Sequence, residues 1–149
     1  MAELSDLYQQ IILDHNRNPR HRGRPDGATA SARGDNPLCG DTITVFLKVE
    51  GGVIRDVGFE GSGCAISTAS ASLMTTAVLG KTVEEAERLF AAFHSMVVDP
   101  MAPTDAQKLG KLAAFAGVRG FPGRVKCANL PWHTLHAAIG SRSSSVSTE

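Results

Sequence analysis

The sequence has no excess charge of either sign and no long apolar run. Its 15 basic and 15 acidic side chains give a formal net charge of zero. That balance excludes the broad positive field by which proteins hold nucleic acid or an anionic membrane surface. No apolar stretch reaches the roughly 18 residues that a transmembrane helix requires. The N-terminal MAELSDLYQQ also lacks the basic start and apolar centre of a signal peptide. We therefore expect a cytoplasmic protein that binds neither nucleic acid nor membranes.

The chain also lacks an even set of cysteines. Three cysteines cannot complete a disulfide framework. In a reducing compartment, such residues more often bind a metal, take part in catalysis or lie inert in the core. The cysteines are therefore the first candidates for a functional site.

Hydrophobic periodicity predicts a helix followed by a small sheet. Apolar residues at helical spacing predict a first helix that ends near Asn16. Residues 41–50 alternate apolar and polar side chains, and Gly51-Gly52 separates them from a second extended segment at 53–59. This pattern predicts an antiparallel hairpin. A short strand is expected before it, at residues 29–33.

Beyond the hairpin, the patterns are helical. Helices are predicted at residues 65–79, 82–95, 104–116 and 124–139, and capping-box patterns open the second and third of these. The fold class is therefore α+β, with a small antiparallel sheet and helices packed on one of its faces. Residues 1–139 are predicted to form one domain. Residues 140–149 form a Ser-rich tail that we expect to be disordered.

All three cysteines lie in loops or at the ends of elements rather than within apolar stripes. Cys64 and Cys127 are predicted at helix N-termini, where free backbone N–H groups lower the pKa of a thiol. Asp41 follows Cys39 by two residues, so an extended loop would direct both side chains to one side. One carboxylate and three thiolates would suit a tetrahedral zinc site. Burial of structural cysteines is the alternative, and the spacing is not that of a CxxC zinc knuckle.

The segments around the cysteines resemble the three motifs of the IscU/NifU-type iron–sulfur cluster assembly proteins. These segments are DNPLCGD at 35–41, GSGCAIS at 61–67 and RVKC at 124–127, and the opening LYQQIILDHNRNP at 7–19 resembles that family's first helix. The resemblance covers residues 4 to about 139. It implies the IscU/SufU-like form of the α+β fold.

Two departures from the scaffold branch of that family indicate the SufU branch. Lys126 replaces the histidine that precedes the third cysteine in the scaffold branch. The chain between Cys64 and Cys127 is also longer, and the extra length, around residues 98–119, is predicted as a helical insertion before the last helix. The SufU resemblance implies a zinc-dependent sulfurtransferase that accepts persulfide sulfur from a SufS-type cysteine desulfurase. Pyridoxal phosphate would stay on that desulfurase, and the sulfur would pass to downstream iron–sulfur scaffold proteins.

The resemblance also assigns site residues. By motif position, the metal ligands are Cys39, Asp41, Cys64 and Cys127. Cys39 is the residue that accepts the persulfide, and Arg124 is associated with engagement of the desulfurase. The alternative is a scaffold on which the same cysteines hold a [2Fe–2S] cluster for assembly and transfer.

Two further expectations concern residues outside the motifs. His15 and His21, at and beyond the end of the first helix, are expected at the surface. Trp132 is expected to pack in the core.

Overall fold

The structure is a computed structural model that describes residues 2–37, 40–99, 101, 106–140 and 145–147. The elements in chain order are α1 (Ala2–Arg17), β1 (Ala30–Asn36), β2 (Asp41–Glu50), β3 (Val53–Ser62), α2 (Ala65–Val78), α3 (Val83–Val98), α4 (Ala106–Leu109), a 3₁₀ helix (Gly110–Val118), α5 (Pro122–Gly140) and β4 (Ser145–Ser147). The predicted α+β class is confirmed. Within the described ranges, no helix is long and apolar enough to cross a membrane.

The sheet is built on two antiparallel pairings. β2 pairs with β3 on one side and with β1 on the other, in the order β3-β2-β1. The predicted hairpin is confirmed, because Gly51 and Gly52 form the turn between β2 and β3 with φ of 59° and 76°. Along β2 every second side chain from Asp41 to Leu47 is buried, which follows from the period of two in a strand. One face of the sheet therefore supports the core.

Helices cover that buried face, as predicted. α5 lies on β1 and β2, α2 packs on β3 and α5, and α1 packs on α2. Trp132 is fully buried, which confirms its expected place in the core. Its ring stacks on Phe93 of α3, with centroids 4.9 Å apart.

Local signals in the sequence set two helix boundaries correctly. Thr82 caps α3 through a hydrogen bond from the Glu85 N–H to its hydroxyl, and the Glu85 carboxylate accepts the Thr82 N–H. The predicted capping box is therefore confirmed. The predicted helix at 65–79 is present as α2, which ends before Gly80.

The insertion is helical but not continuous. A single helix at 104–116 was predicted, whereas the structure has the short α4 followed by a 3₁₀ helix from Gly110. Gly110 has a φ of +57°, a left-handed conformation that a regular helix does not accommodate. The prediction of one unbroken helix is therefore wrong in this segment. The predicted helix begins at residue 104, and residues 102–105 lie outside the described residues.

The C-terminal tail includes one short strand. Ser145–Ser147 pair in parallel with β1 and extend the sheet. Edge strands leave N–H and C=O groups unpaired, which explains why β1 can accept this segment. Gly140 ends α5, and the disorder predicted for residues 140–149 stays a prediction. Residues 141–144 and 148–149 lie outside the described residues.

Close packing of β1 on α5 depends on Gly34. A Cβ atom added there would overlap the Thr134 Oγ1 atom and lie 3.0 Å from Leu130 Cδ1. We expect Gly34→Ala to lower the free energy of unfolding by about 1–3 kcal/mol, because the strand and the helix must separate. Urea unfolding measures this change.

A matched control distinguishes this steric effect from the general effect of adding a methyl group. Gly123, in the first turn of α5, has no heavy atom within 4 Å of the position that a Cβ atom would occupy, so Gly123→Ala should not destabilise the protein. Adding Thr134→Ala to Gly34→Ala should restore part of the loss, because it removes the overlapping oxygen. Equal stability of the two single glycine variants would contradict the packing argument.

His15 is buried, which corrects the expectation that it lies at the surface. Only 4% of it is exposed, and its Nδ1 atom lies 2.7 Å from the Ser72 hydroxyl oxygen. That oxygen accepts the Arg20 N–H at 2.8 Å, so the Ser72 hydroxyl is left to donate to a neutral imidazole. Burial, followed by the positive charge of Arg20, lowers the pKa of His15. His21 is exposed, as expected.

The lowered pKa of His15 predicts how stability changes with pH. Below about pH 6.5 the unfolded chain binds a proton at this histidine more readily than the folded chain does. The free energy of unfolding should therefore decrease as pH falls below that value, by up to about 1.4 kcal/mol per pH unit. Urea unfolding between pH 7.5 and 5.5, with a chelator present throughout, should show a smaller decrease for His15→Gln. An unchanged pH dependence in that variant would contradict the assignment.

Candidate metal centre

Asp41 is held at the end of the sheet with both carboxylate oxygens directed inward. It begins β2, opposite Asn36 at the end of β1, and is 1% exposed. Its Oδ1 atom accepts the backbone N–H of Cys64 at 2.8 Å. Gly63 allows this approach, because a Cβ atom at that position would lie 2.8 Å from the same oxygen. The carboxylate is thereby fixed to the turn that carries Cys64.

Cys64 is the N-cap of α2, which confirms its predicted place at a helix N-terminus. Its Sγ atom accepts the Ser67 N–H at 3.4 Å and lies 4.0 Å from Asp41 Oδ2. A hydrogen bond from the Cys127 thiol, helped by backbone N–H groups of the first turn, lowers the pKa of Cys64 to about 6, although burial and the charge of Asp41 oppose the shift. These contacts favour the thiolate form of Cys64, which is the form that binds a metal.

Cys127 enters the site from a different element and is 3% exposed. It was predicted in the first turn of a helix that starts near Arg124. α5 begins instead at Pro122, a residue that suits the first helical position because no N–H is needed there. Cys127 is therefore in the second turn, and its predicted place in the first turn of the helix is wrong.

The fold brings three of the four predicted ligands together. A ligand oxygen of Asp41 and the sulfur atoms of Cys64 and Cys127 all lie within 4.8 Å of one another. No other group of three His, Cys, Asp or Glu residues in the described part of the chain meets this criterion. Cys39 lies outside the described residues. Because it is two residues from Asp41, the chain limits the distance between their Cα atoms to about 7 Å.

This donor set fits a metal that accepts both sulfur and oxygen ligands. Asp41 and Cys127 are buried and Cys64 is partly exposed. One carboxylate and two thiolates match the ligands of zinc in proteins, where zinc is usually bound by four groups. Cysteine thiolates are also the usual ligands of iron–sulfur clusters. The chemistry of the three residues is therefore compatible with either zinc or an iron–sulfur cluster.

Arg124 is not part of this cluster of ligand atoms. Its side chain is exposed at the start of α5, and its guanidinium carbon lies 4.6 Å from the centre of the Phe121 ring. Phe121 is itself 50% exposed. The two side chains form a cationic and aromatic surface one helical turn before Cys127.

Asn36 is a site residue that the sequence analysis did not identify. It is completely buried, and its Nδ2 atom lies 3.4 Å from Asp41 Oδ2 and 3.6 Å from Cys127 Sγ. Its position in the sequence offered one signal. Asn36 and Asp41 flank the loop that contains Cys39, so a hairpin between them would pair the two residues directly.

Comparisons with known proteins agree with this architecture. A model of the NifU-like N terminal domain matches residues 7–128. The iron–sulfur cluster assembly scaffold protein IscU of Streptococcus pyogenes serotype M1 is 42% identical over 139 residues, which cover 93% of this chain and 86% of that protein. The zinc-dependent sulfurtransferase SufU of Bacillus subtilis is 41% identical over 138 residues, which cover 93% of this chain and 92% of that protein.

Solved structures show the same fold. A protein from Fervidobacterium islandicum AW-1, described as a putative iron–sulfur cluster assembly scaffold for the SUF system, has a TM-score of 0.82 at 36% identity, covering 89% of this chain and 96% of that one. A NifU-like protein from Brucella abortus has the same TM-score at 29% identity, covering 91% of this chain and 93% of that one. The resemblance stated from the cysteine motifs is confirmed, and the chain belongs to the NifU-like N-terminal domain family, together with IscU- and SufU-type proteins.

Proposed function

We propose that this protein is a zinc-dependent sulfur carrier in iron–sulfur cluster assembly. It accepts persulfide sulfur from a SufS-type cysteine desulfurase and passes it to downstream iron–sulfur scaffold proteins. The observation that carries the proposal is the convergence of Asp41, Cys64 and Cys127 beside the loop that contains Cys39. We place this chemistry in the cytoplasm, where a reducing environment keeps thiols free.

Zinc would be held by Asp41, Cys64, Cys127 and Cys39. The first three supply a buried carboxylate and two thiols, and the fourth is the predicted ligand from the adjoining loop. When bound, zinc would keep its sulfur ligands deprotonated and protected from oxidation, and it adds no redox chemistry of its own.

The transfer step needs no external oxidant or reductant. The thiolate of Cys39 attacks the outer sulfur of a persulfide on a cysteine of the donor. A new S–S bond forms at Cys39, the S–S bond of the donor breaks, and its electron pair leaves on the donor's cysteine sulfur. Cys39 is left as a persulfide, and the donor's cysteine is left as a thiolate. Pyridoxal phosphate is required only on the donor, which removes sulfur from L-cysteine.

Arg124 is the residue we assign to engagement of the donor. Its guanidinium is exposed and is stacked on Phe121, also an exposed side chain. Arg and aromatic residues are enriched among the side chains that dominate binding at protein interfaces. An anionic group on the donor would pair with Arg124 next to the metal centre.

Assembly of a [2Fe–2S] cluster on the same residues is the second candidate. It is favoured by the name of the Streptococcus pyogenes relative, which is a cluster assembly scaffold. Here the cysteines would be cluster ligands, and Asp41 would adjust how readily the cluster is released.

The deciding experiment measures metal and sulfur on the same preparation. Protein purified without added metal is analysed for zinc and iron, and is then incubated with a cysteine desulfurase and L-cysteine. About one zinc per chain, and an added sulfur located on Cys39 by peptide mass spectrometry, are the expected results. Iron with visible charge-transfer absorbance, and no added sulfur, would favour the cluster scaffold and overturn the carrier proposal.

A further inference from the structure

We propose that Asn36 is a positioning residue of the metal centre, whose side-chain amide holds the Asp41 carboxylate and the Cys127 sulfur at a separation suited to a shared ion. This inference rests on the metal site of the proposed function. It adds a residue that does not itself bind the metal.

The contacts of the amide group support this role. Asn36 Nδ2 lies 3.4 Å from Asp41 Oδ2 and 3.6 Å from Cys127 Sγ. An amide nitrogen carries two hydrogens, so one can be directed to each acceptor. The two acceptors belong to β2 and α5, and Asn36 and Cys127 are 91 residues apart in the chain. The amide therefore links two elements that meet only through the tertiary fold.

The chemistry of its neighbours also fixes how the amide is oriented. The Asp41 carboxylate can only accept hydrogen bonds when ionised, and once Cys127 binds a metal its sulfur is a thiolate that can likewise only accept. Turning the amide over would direct the Asn36 carbonyl oxygen at both groups, with repulsion on each side. The donor end must therefore face the ligands.

The opposite end of the side chain indicates that Asn36 is not simply a packing residue. Its Oδ1 atom is buried and has no hydrogen-bond partner among the described residues. An apolar side chain of similar volume would avoid the cost of burying an amide at this position. The donor end, which faces the two candidate ligands, makes the contacts that support the role of the amide.

Two substitutions test the role of the donor. Asn36→Asp keeps the shape of the side chain but removes both donated hydrogens and adds an acceptor beside two anions. Asn36→Ser keeps one donor in a smaller side chain, and it serves if the aspartate variant does not fold. Both variant proteins should bind zinc about 10- to 100-fold more weakly than the wild type does. Competition with a colorimetric chelator measures this affinity.

Asn129 provides a matched control. It is also a buried asparagine whose Oδ1 atom has no hydrogen-bond partner among the described residues, and it lies two residues after Cys127. Asn129→Asp should reduce the stability of the metal-free protein without an equal loss of zinc affinity. Thermal melting of the metal-free variants separates such losses of folding from losses of metal binding.

A cobalt spectrum supplies a readout that a purely structural role would not change. Co²⁺ replaces zinc and reports sulfur ligation through its charge-transfer absorbance. We expect altered cobalt bands in the Asn36 variants and wild-type bands in Asn129→Asp. Wild-type zinc affinity and cobalt bands in both Asn36 variants would overturn the inference while leaving the carrier proposal intact. Failure of the wild type to retain any metal would overturn both.

Discussion

Zinc should no longer stabilise the protein when Asp41 is replaced by alanine. Asp41 is 1% exposed, and a ligand oxygen of its carboxylate lies within 4.8 Å of the sulfurs of the partly exposed Cys64 and the buried Cys127. Its replacement therefore removes one of the four proposed ligands. Zinc at 1,000 times its dissociation constant would stabilise the wild type by about 4 kcal/mol. In a chain of this length, that corresponds to a rise of about 10 °C in the melting temperature. Thermal melts with zinc and with a chelator measure the difference, which should nearly vanish in Asp41→Ala.

Asp35 is a control for this prediction on the same strand-and-loop segment. Its side chain is 40% exposed and lies 3.6 Å from Arg33 Nε rather than in the ligand cluster. Asp35→Ala should keep the wild-type response to zinc. Equal responses of the wild type, Asp41→Ala and Asp35→Ala would show that Asp41 is not a ligand.

Replacing Cys39 with alanine should stop sulfur acceptance. The proposed reaction needs a thiolate at this position, and alanine has no sulfur with which to form the new S–S bond. After incubation with a cysteine desulfurase and L-cysteine, persulfide per chain should fall to background, because the residue that forms the new S–S bond is absent. Alkylation followed by mass spectrometry measures it. The zinc content of the variant is determined in parallel, so that loss of the nucleophile is distinguished from loss of the metal.

Arg124→Ala is the informative comparison for Cys39→Ala. If Arg124 serves only to engage the donor, its loss should raise the concentration of protein needed for half-maximal sulfur transfer and leave the maximal rate near that of the wild type. Cys39→Ala should fail at every concentration. Persulfide found on Cys64 or Cys127 at the wild-type level in Cys39→Ala would refute the assignment of the acceptor.

The elements that could be predicted from the sequence are those specified by neighbouring residues. The alternation along residues 41–50 and the glycine pair after it were enough to predict the hairpin, because strand period and turn conformation are local properties. The Thr82–Glu85 capping box likewise acts within one helical turn. The break at Gly110 was missed because a glycine within a helical pattern is often tolerated.

The candidate site was only partly predictable. The three cysteine motifs predicted the types of candidate ligand, and both the two-residue spacing from Cys39 and the family resemblance pointed to Asp41. Asn36 was missed because its importance depends on contact with Cys127, which is 91 residues away in the chain. His15 was misplaced at the surface for a similar reason, since its burial depends on Ser72 of α2.

Local sequence patterns specify the fold class, the family and the types of residue at the candidate site. These follow from periodicity, turn residues and short motifs, all of which are carried by residues close together in the chain. The tertiary structure alone decided that the start of β2, the N-cap of α2 and the second turn of α5 meet within 4.8 Å. It also placed the side-chain amide of the buried Asn36 between two of the candidate ligands, Asp41 and Cys127. Such distances result from packing α2 and α5 on one face of the sheet, and no local pattern specifies how closely those elements approach.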